Sequence, residues 1–146
     1  MTIVTNQPEA DAANGQRLVK SAERVRDLGE VFTPSHIVNG MLNLLPDEMW
    51  RTHPPATFLE PACGDGNFLI AILDRKLQRV TAHTDDPQTR QILALAALAS
   101  IYGVDISPEN ILGGHPDHPI GARDRLLSQL SQWHHRTIGT TVNARN

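Results

Sequence analysis

The run FLEPACGDGNFLIAIL, residues 58–73, decides how the rest of the chain is read. A short apolar stretch ends in the acid Glu60, a proline and a glycine-flanked turn follow, and the chain then becomes apolar at helical spacing, with Leu69, Leu73 and Leu77 four residues apart. That succession predicts a strand, a tight turn and a helix. Gly64 and Gly66 remove two Cβ atoms from the turn, so backbone N–H groups there can approach a ligand closely. A helix starting near Asn67 directs the positive end of its dipole at the same point, which suits a carboxylate or a phosphate.

Working outward, residues 57–60 read as a short buried strand, 61–66 as the turn, 67–77 as a helix and QRVTAHTDD (78–86) as a loop. Asp86 and Pro87 supply a cap and a first-position proline for an alanine- and leucine-rich helix over 87–100. IYGVDI (101–106) is a second strand, and Ser107-Pro108 repeats the helix-start device. GGHPDHP (113–119) interrupts, a helix follows over 121–133, and TIGTTVN (137–143) carries the β-type residues of a candidate third strand. Upstream, residues 1–13 are polar and expected to be flexible. Residues 15–28 suit a helix with Leu18, Ala22 and Val25 on one side and Arg17, Lys20 and Arg24 on another. That basic stripe reads as a solvated helix face, with phosphate contact as the sharper alternative. In GEVFTPSHIVNGMLNLLP (29–46), Thr33 caps a helix with Pro34 at its first position, the apolar face comprises Ile37, Met41, Leu44 and Val38, Leu42, Leu45, and Pro46 stops it. The alternation of helices and strands predicts an α/β fold with a parallel sheet covered by helices on both faces. The expected organisation is a flexible segment 1–13, a helical extension 14–52 and a partial α/β domain 57–146.

In an open parallel sheet, ligands sit beyond the carboxyl ends of the strands. The turn 61–66 occupies that position after the first strand, and Asp105 occupies it after the second. A carboxylate there can accept both hydroxyls of a ribose, so the pair suggests a ligand containing a nucleoside. A nucleoside triphosphate, NAD and S-adenosylmethionine all fit that description. The phosphate-binding pattern GxxxxGK[ST] is absent, and GDGNFL lacks the third glycine of the dinucleotide fingerprint. Gly64 and Asp105 are 41 residues apart, against about 20 in the dinucleotide fold, and the helix over 87–100 accounts for the difference.

Three segments, in order, resemble the N6-adenine DNA methyltransferases of the restriction-modification type: GEVFTP (29–34), FLEPACGDGNFL (58–69) and IYGVDISPENI (101–111). The resemblance spans about residues 25–111 and implies a Rossmann-like, S-adenosylmethionine-dependent methyltransferase fold. It implies that Thr33, with Phe32 and Pro34 around it, approaches the methionine carboxylate. Glu60 and Ala62 would line the methionine end of the pocket. Gly64, Asp65 and Gly66 would pass beneath the cofactor, within a binding run that also takes in Pro61, Cys63 and Asn67. Asp105 would take the ribose hydroxyls and Ile106 would pack on the adenine. A flipped-out adenine in that family is held by an Asn/Asp-Pro-Pro-aromatic loop. HPPA (53–56) is the one Pro-Pro here, lacks both flanking features and precedes the cofactor strand, so it reads as a connector. No catalytic residue is therefore assigned, and DNA contact is expected through other segments or subunits. The chain is read as the cofactor-binding part of such an enzyme, a fragment, a split gene's first half or a remnant. A non-catalytic interaction protein that keeps the fold is the alternative.

The remaining residues set bounds. A net charge of −3 argues against a chain that clamps nucleic acid over its whole surface. Hydrophobic residues make up 40% and charged residues 20%, within the range of globular domains. No apolar run reaches the ~18 residues of a membrane span, and no signal-peptide apolar segment begins the chain, so a cytoplasmic location without membrane contact is expected. Cys63 is the single cysteine, which excludes an internal disulfide and a multi-cysteine zinc site. Cys63 lies inside the turn rather than in a nucleophile loop. His115, Asp117 and His118 read as a surface loop, and the adjacent His134 and His135 would point apart, so no metal site is expected. Trp50 and Trp133 read as packing residues. A sheet of two or three strands would leave apolar edges and faces bare, to be covered by a partner chain or a second copy.

Overall fold

The computed structural model describes residues 33–114 and 119–138. The expected helix over 15–28 with its basic stripe, Phe32, the loop at His115, Asp117 and His118, and residues 139–143 of the candidate third strand lie outside the described residues. The chain divides into two units, Met1–Pro34 and Ser35–Asn146. Thr33 and Pro34, the described part of the first, are half-buried and without regular structure.

The second unit runs α1 (Ser35–Leu42), a 3₁₀ turn (Asp47–Trp50), β1 (Phe58–Glu60), α2 (Asn67–His83), α3 (Pro87–Ala99), β2 (Ile101–Gly103), α4 (Pro108–Leu112) and α5 (Ala122–Thr137). The two strands pair in parallel, with Phe58 opposite Ile101, Leu59 opposite Tyr102 and Glu60 opposite Gly103. α2 is the centre of the packing. Leu69, Ile72, Leu73, Lys76, Leu77 and Val80 are its buried residues, and each apolar one contributes about 1.5–3 kcal/mol by leaving water. Burial on this scale exceeds the few tenths of a kcal/mol by which helix propensities differ among such residues. Val38 and Leu42 of α1 join Trp50, Ala56, Phe58 and Ile72 in one cluster. Leu73, Leu77, Val80, Leu93, Ala94 and Trp133 form a second, and Ile101 packs against both.

The structure differs from the sequence expectation at several elements. α2 continues to His83, past the expected end at Leu77, because Val80 extends the buried spacing over the stretch read as a loop. β2 ends at Gly103 rather than at residue 106, although the Val104 N–H still donates to the Glu60 carbonyl at 2.9 Å. α5 reaches Thr137 with Ile138 as its C-cap, so the first two residues of the candidate third strand end a helix. The sheet is not covered on both faces among the described residues. Phe58 and Ile101 face the helices, whereas their neighbours Leu59 and Tyr102 are 64% and 54% exposed. α1 ends at Leu42 rather than running to Pro46, and one apolar stripe is used, since Ile37 and Met41 within it and Leu44 beyond its end stay exposed. The cap expected before α3 is present: the Asp86 carboxylate accepts from the Thr89 N–H at 2.8 Å and from its hydroxyl at 2.6 Å, which holds the Asp86 carboxyl below its usual range. Trp50 and Trp133 are both buried, as expected.

Lys76 was not foreseen as a core residue. It is 2% exposed and donates to the Ala56 carbonyl at 2.6 Å and to the Ser100 hydroxyl at 2.7 Å, with its ammonium 4.9 Å from the Phe58 ring centre. It thereby ties together the residues that lead into the two strands. Burial lowers its pKa from 10.5 to about 8. Below pH 8 both folded and unfolded chains carry the charge, and the folded state bears the desolvation cost. Between about 8 and 10.5 the folded state releases its proton first, so this cost is relieved as pH rises. The urea midpoint of the wild type is therefore expected to rise from pH 8 to pH 10 relative to that of Lys76→Met, and parallel pH profiles would contradict this.

Candidate functional site

The turn after β1 is built by three backbone hydrogen bonds. The Cys63 N–H donates to the Val104 carbonyl, the Gly66 N–H to the Cys63 carbonyl and the Ile70 N–H to the Gly66 carbonyl, all at 2.9 Å. Gly64 and Gly66 have φ of +53° and +88°, the left-handed region that glycine enters without a Cβ penalty. A Cβ added at Gly64 would meet nothing within 4 Å, whereas one at Gly66 would lie 2.8 Å from the Ala122 Cβ. One glycine therefore leaves bare backbone facing open space, and the other lets α5 approach. Gly66 is also the N-cap of α2 and offers no side chain to its first turn, whose N–H groups have no acceptor within the helix.

Asp105 joins this turn to the end of β2. Its Oδ2 accepts the Gly64 N–H at 2.8 Å, and its Oδ1 accepts the Ser107 N–H and the Asn110 side-chain amide, each at 2.8 Å. A carboxylate has about four acceptor positions, so one remains. Glu60 is half-buried, with its Oε1 3.3 Å from the Ala62 N–H. Pro61 and Ala62 are exposed, and Ile106 is 89% exposed. Glu60, Pro61, Ala62, Cys63, Gly64, Asp65, Gly66, Asn67, Asp105 and Ile106 thus gather at the carboxyl ends of the two strands.

The family model for N-6 DNA methylase matches residues 17–111, more than half of the chain. The chain belongs to the N-6 DNA methylase family. No curated protein and no solved structure matches it. By the family match the chain holds a domain related to DNA N6-methyltransferases, a family that normally uses S-adenosylmethionine. α5 lies beyond the matched residues, yet its Arg125 reaches back to the turn. Nη1 donates to the Asp65 carbonyl at 2.8 Å and to the Asp65 carboxylate at 2.6 Å, and Nη2 donates to the Asn67 side-chain oxygen at 3.0 Å. Sequence reading missed Arg125, Ala122 and Asn110. Only Asn110 had a local signal, lying five residues from Asp105 on a helix that starts beside it.

Cys63 is 6% exposed. Burial first, and then the Asp105 carboxylate, push its thiol up to about 11. It stays protonated at neutral pH and is a poor nucleophile, and its Sγ would stand 3.0 Å from a Cβ placed at Gly103. This is the contact of a packing residue under the strand pair. HPPA forms a turn leading into the amino end of β1, opposite the glycine turn, where the Arg51 Nε donates to the Pro54 carbonyl at 2.8 Å. The His134 and His135 ring centres are 6.0 Å apart. Among the described residues no three His, Cys, Asp or Glu side chains are grouped to hold a metal, and no helix is long and apolar enough to cross a membrane.

Proposed function

We propose that this chain is the S-adenosylmethionine-binding part of a DNA adenine-N6 methyltransferase from a restriction-modification type system, on a partial Rossmann-like fold. The observation that carries the reading is the Asp105–Gly64 hydrogen bond. It sets a ribose-type acceptor and a bare glycine turn side by side at one end of a parallel strand pair. The donor set fits the cofactor. The α2 N-terminus suits its carboxylate, the missing Cβ at Gly64 leaves room for the ligand beside the turn, the free acceptor position on Asp105 suits a ribose hydroxyl, and exposed Ile106 suits a flat base. When bound, S-adenosylmethionine supplies a methyl group on a positively charged sulfur. The chain's own residues bind and orient it. Asp105 would take a ribose hydroxyl at the acceptor position that Gly64, Ser107 and Asn110 leave open. The adenine-holding loop and the DNA surface come from other segments or subunits, because no Asn/Asp-Pro-Pro-aromatic sequence occurs here and a net charge of −3 gives no overall attraction to phosphate.

Calorimetric titration of the chain with S-adenosylmethionine is expected to give saturable binding at one site. A folded sample that takes up none would remove the reading. A second reading, an interaction protein retaining the fold without the chemistry, is favoured by the bare sheet face, where Leu59, Tyr102 and Val104 are all more than half exposed. On that reading a partner chain or a second copy covers the face, and no methyl donor binds.

A further inference from the structure

Resting on the cofactor reading above, we propose that Arg125 is the positioning residue of the cofactor turn, fixing Asp65 and Asn67 so that the turn and the start of α2 offer a set surface to the amino-acid end of S-adenosylmethionine. The contacts fall on three consecutive residues. Arg125 holds Asp65 by its carbonyl and carboxylate and Asn67 by its side-chain oxygen, and Ala122, one turn earlier on α5, closes on Gly66. A guanidinium is suited to this because its planar fork can bond two groups in fixed directions, which an ammonium cannot. The side chains of the pair are 31% and 18% exposed, so the interaction is partly shielded from water. The same end of α5 also packs on the other half of the site. A Cβ at Gly121 would lie 2.3 Å from the Ile111 carbonyl oxygen, on the helix that follows Asp105. α5 therefore braces the methionine-side turn and the ribose-side loop together.

Charge gives Arg125 a second task. Glu60, Asp65 and Asp105 all lie around Cys63, and an unopposed carboxylate at Asp65 would repel the carboxylate of the incoming amino acid. Arg125 offsets that charge. Its neighbour Arg123 pairs with adjacent Asp124, with both side chains about half exposed or more, and touches none of these residues.

The test compares two ligands, S-adenosylmethionine and 5′-methylthioadenosine, which keeps the nucleoside and lacks the amino-acid end. Calorimetry is run on the chain and on Arg125→Met, Arg125→Lys, Asp65→Asn and Arg123→Gln. Arg125→Met is expected to weaken S-adenosylmethionine by about 10- to 100-fold, the scale of losing charge-assisted hydrogen bonds, and methylthioadenosine by less than about threefold. Arg125→Lys should recover part of the loss, and Arg123→Gln should match the wild type. Combining Asp65→Asn with Arg125→Met should add little to Arg125→Met alone. S-adenosylmethionine binding by Arg125→Met within about twofold of wild type would overturn the proposal, and so would an equal loss for both ligands, which marks a merely structural role. If Arg125→Met does not fold, Arg125→Lys and Asp65→Asn carry the same comparison, and equal losses for both ligands overturn it there. A folded wild type that binds neither ligand overturns the cofactor reading itself, and the inference with it. That outcome is distinct from binding by the wild type that Arg125→Met retains.

Discussion

Asp105→Ala is expected to abolish measurable S-adenosylmethionine binding and to lower the stability of the fold by about 2–4 kcal/mol. Three donors lose their acceptor at once, the N–H groups of Gly64 and Ser107 and the side-chain amide of Asn110. Hydrogen bonds to a charged group contribute about 1.5–3 kcal/mol each, but these share one carboxylate, are partly exposed and will not sum. On the proposed function the ligand effect follows because the same carboxylate would be the ribose acceptor and is the link that holds the glycine turn beside it. Asp105→Asn keeps the shape and offers one good acceptor, so it should fall between wild type and alanine in both urea unfolding and calorimetry. Alanine binding the cofactor as tightly as wild type would separate Asp105 from the site.

Gly66→Ala carries the second large effect, a loss of about 2–4 kcal/mol. A residue with a Cβ at φ +88° is strained by about 1–2 kcal/mol, and its Cβ would stand 2.8 Å from that of Ala122, an overlap costing roughly 1–3 kcal/mol. The cause is local, so Gly40→Ala serves as a contrast. Gly40 lies within α1 with nothing within 4 Å of an added Cβ and no positive φ. That change is expected to stabilise by about 0.5–1 kcal/mol through the chain entropy of the unfolded state. Urea midpoints moving in opposite directions for the two glycines would bear this out, and a Gly66→Ala protein as stable as wild type would show that the turn is not built as described.

Much of the site could be read from the sequence because its parts are local. Strand, glycine turn and helix follow one another within sixteen residues, and Asp105 lies two residues past the next strand, where the same pattern places it. The two proline-led helix starts at Asp86 and Ser107 were legible for the same reason. What could not be read was what long-range packing decides. Arg125 lies sixty residues from Asp65, and nothing near it in sequence shows that a helix beyond the family match turns back on the turn. Lys76 sits in the buried spacing of α2 between Leu73 and Leu77, where a charged residue argues against burial until the carbonyl of Ala56 and the hydroxyl of Ser100 are seen to accept its protons. The length of α2 was underestimated because Val80 alone marks its last buried turn amid polar residues. Bare faces on so small a sheet were legible from its strand count, but which face the described helices cover was not, since Leu59 and Tyr102 look the same in sequence whether or not a helix lies over them.

The central claim is that residues 60–67 and 105–106 hold S-adenosylmethionine. It is tested most directly by amide NMR of the chain titrated with the cofactor. Shifts are expected to gather at Gly64, Gly66, Asn67 and Ile106, and to be lost in Asp105→Ala. Saturable shifts confined to residues away from the turn and Asp105, or no shifts at all in a folded protein, would contradict the account.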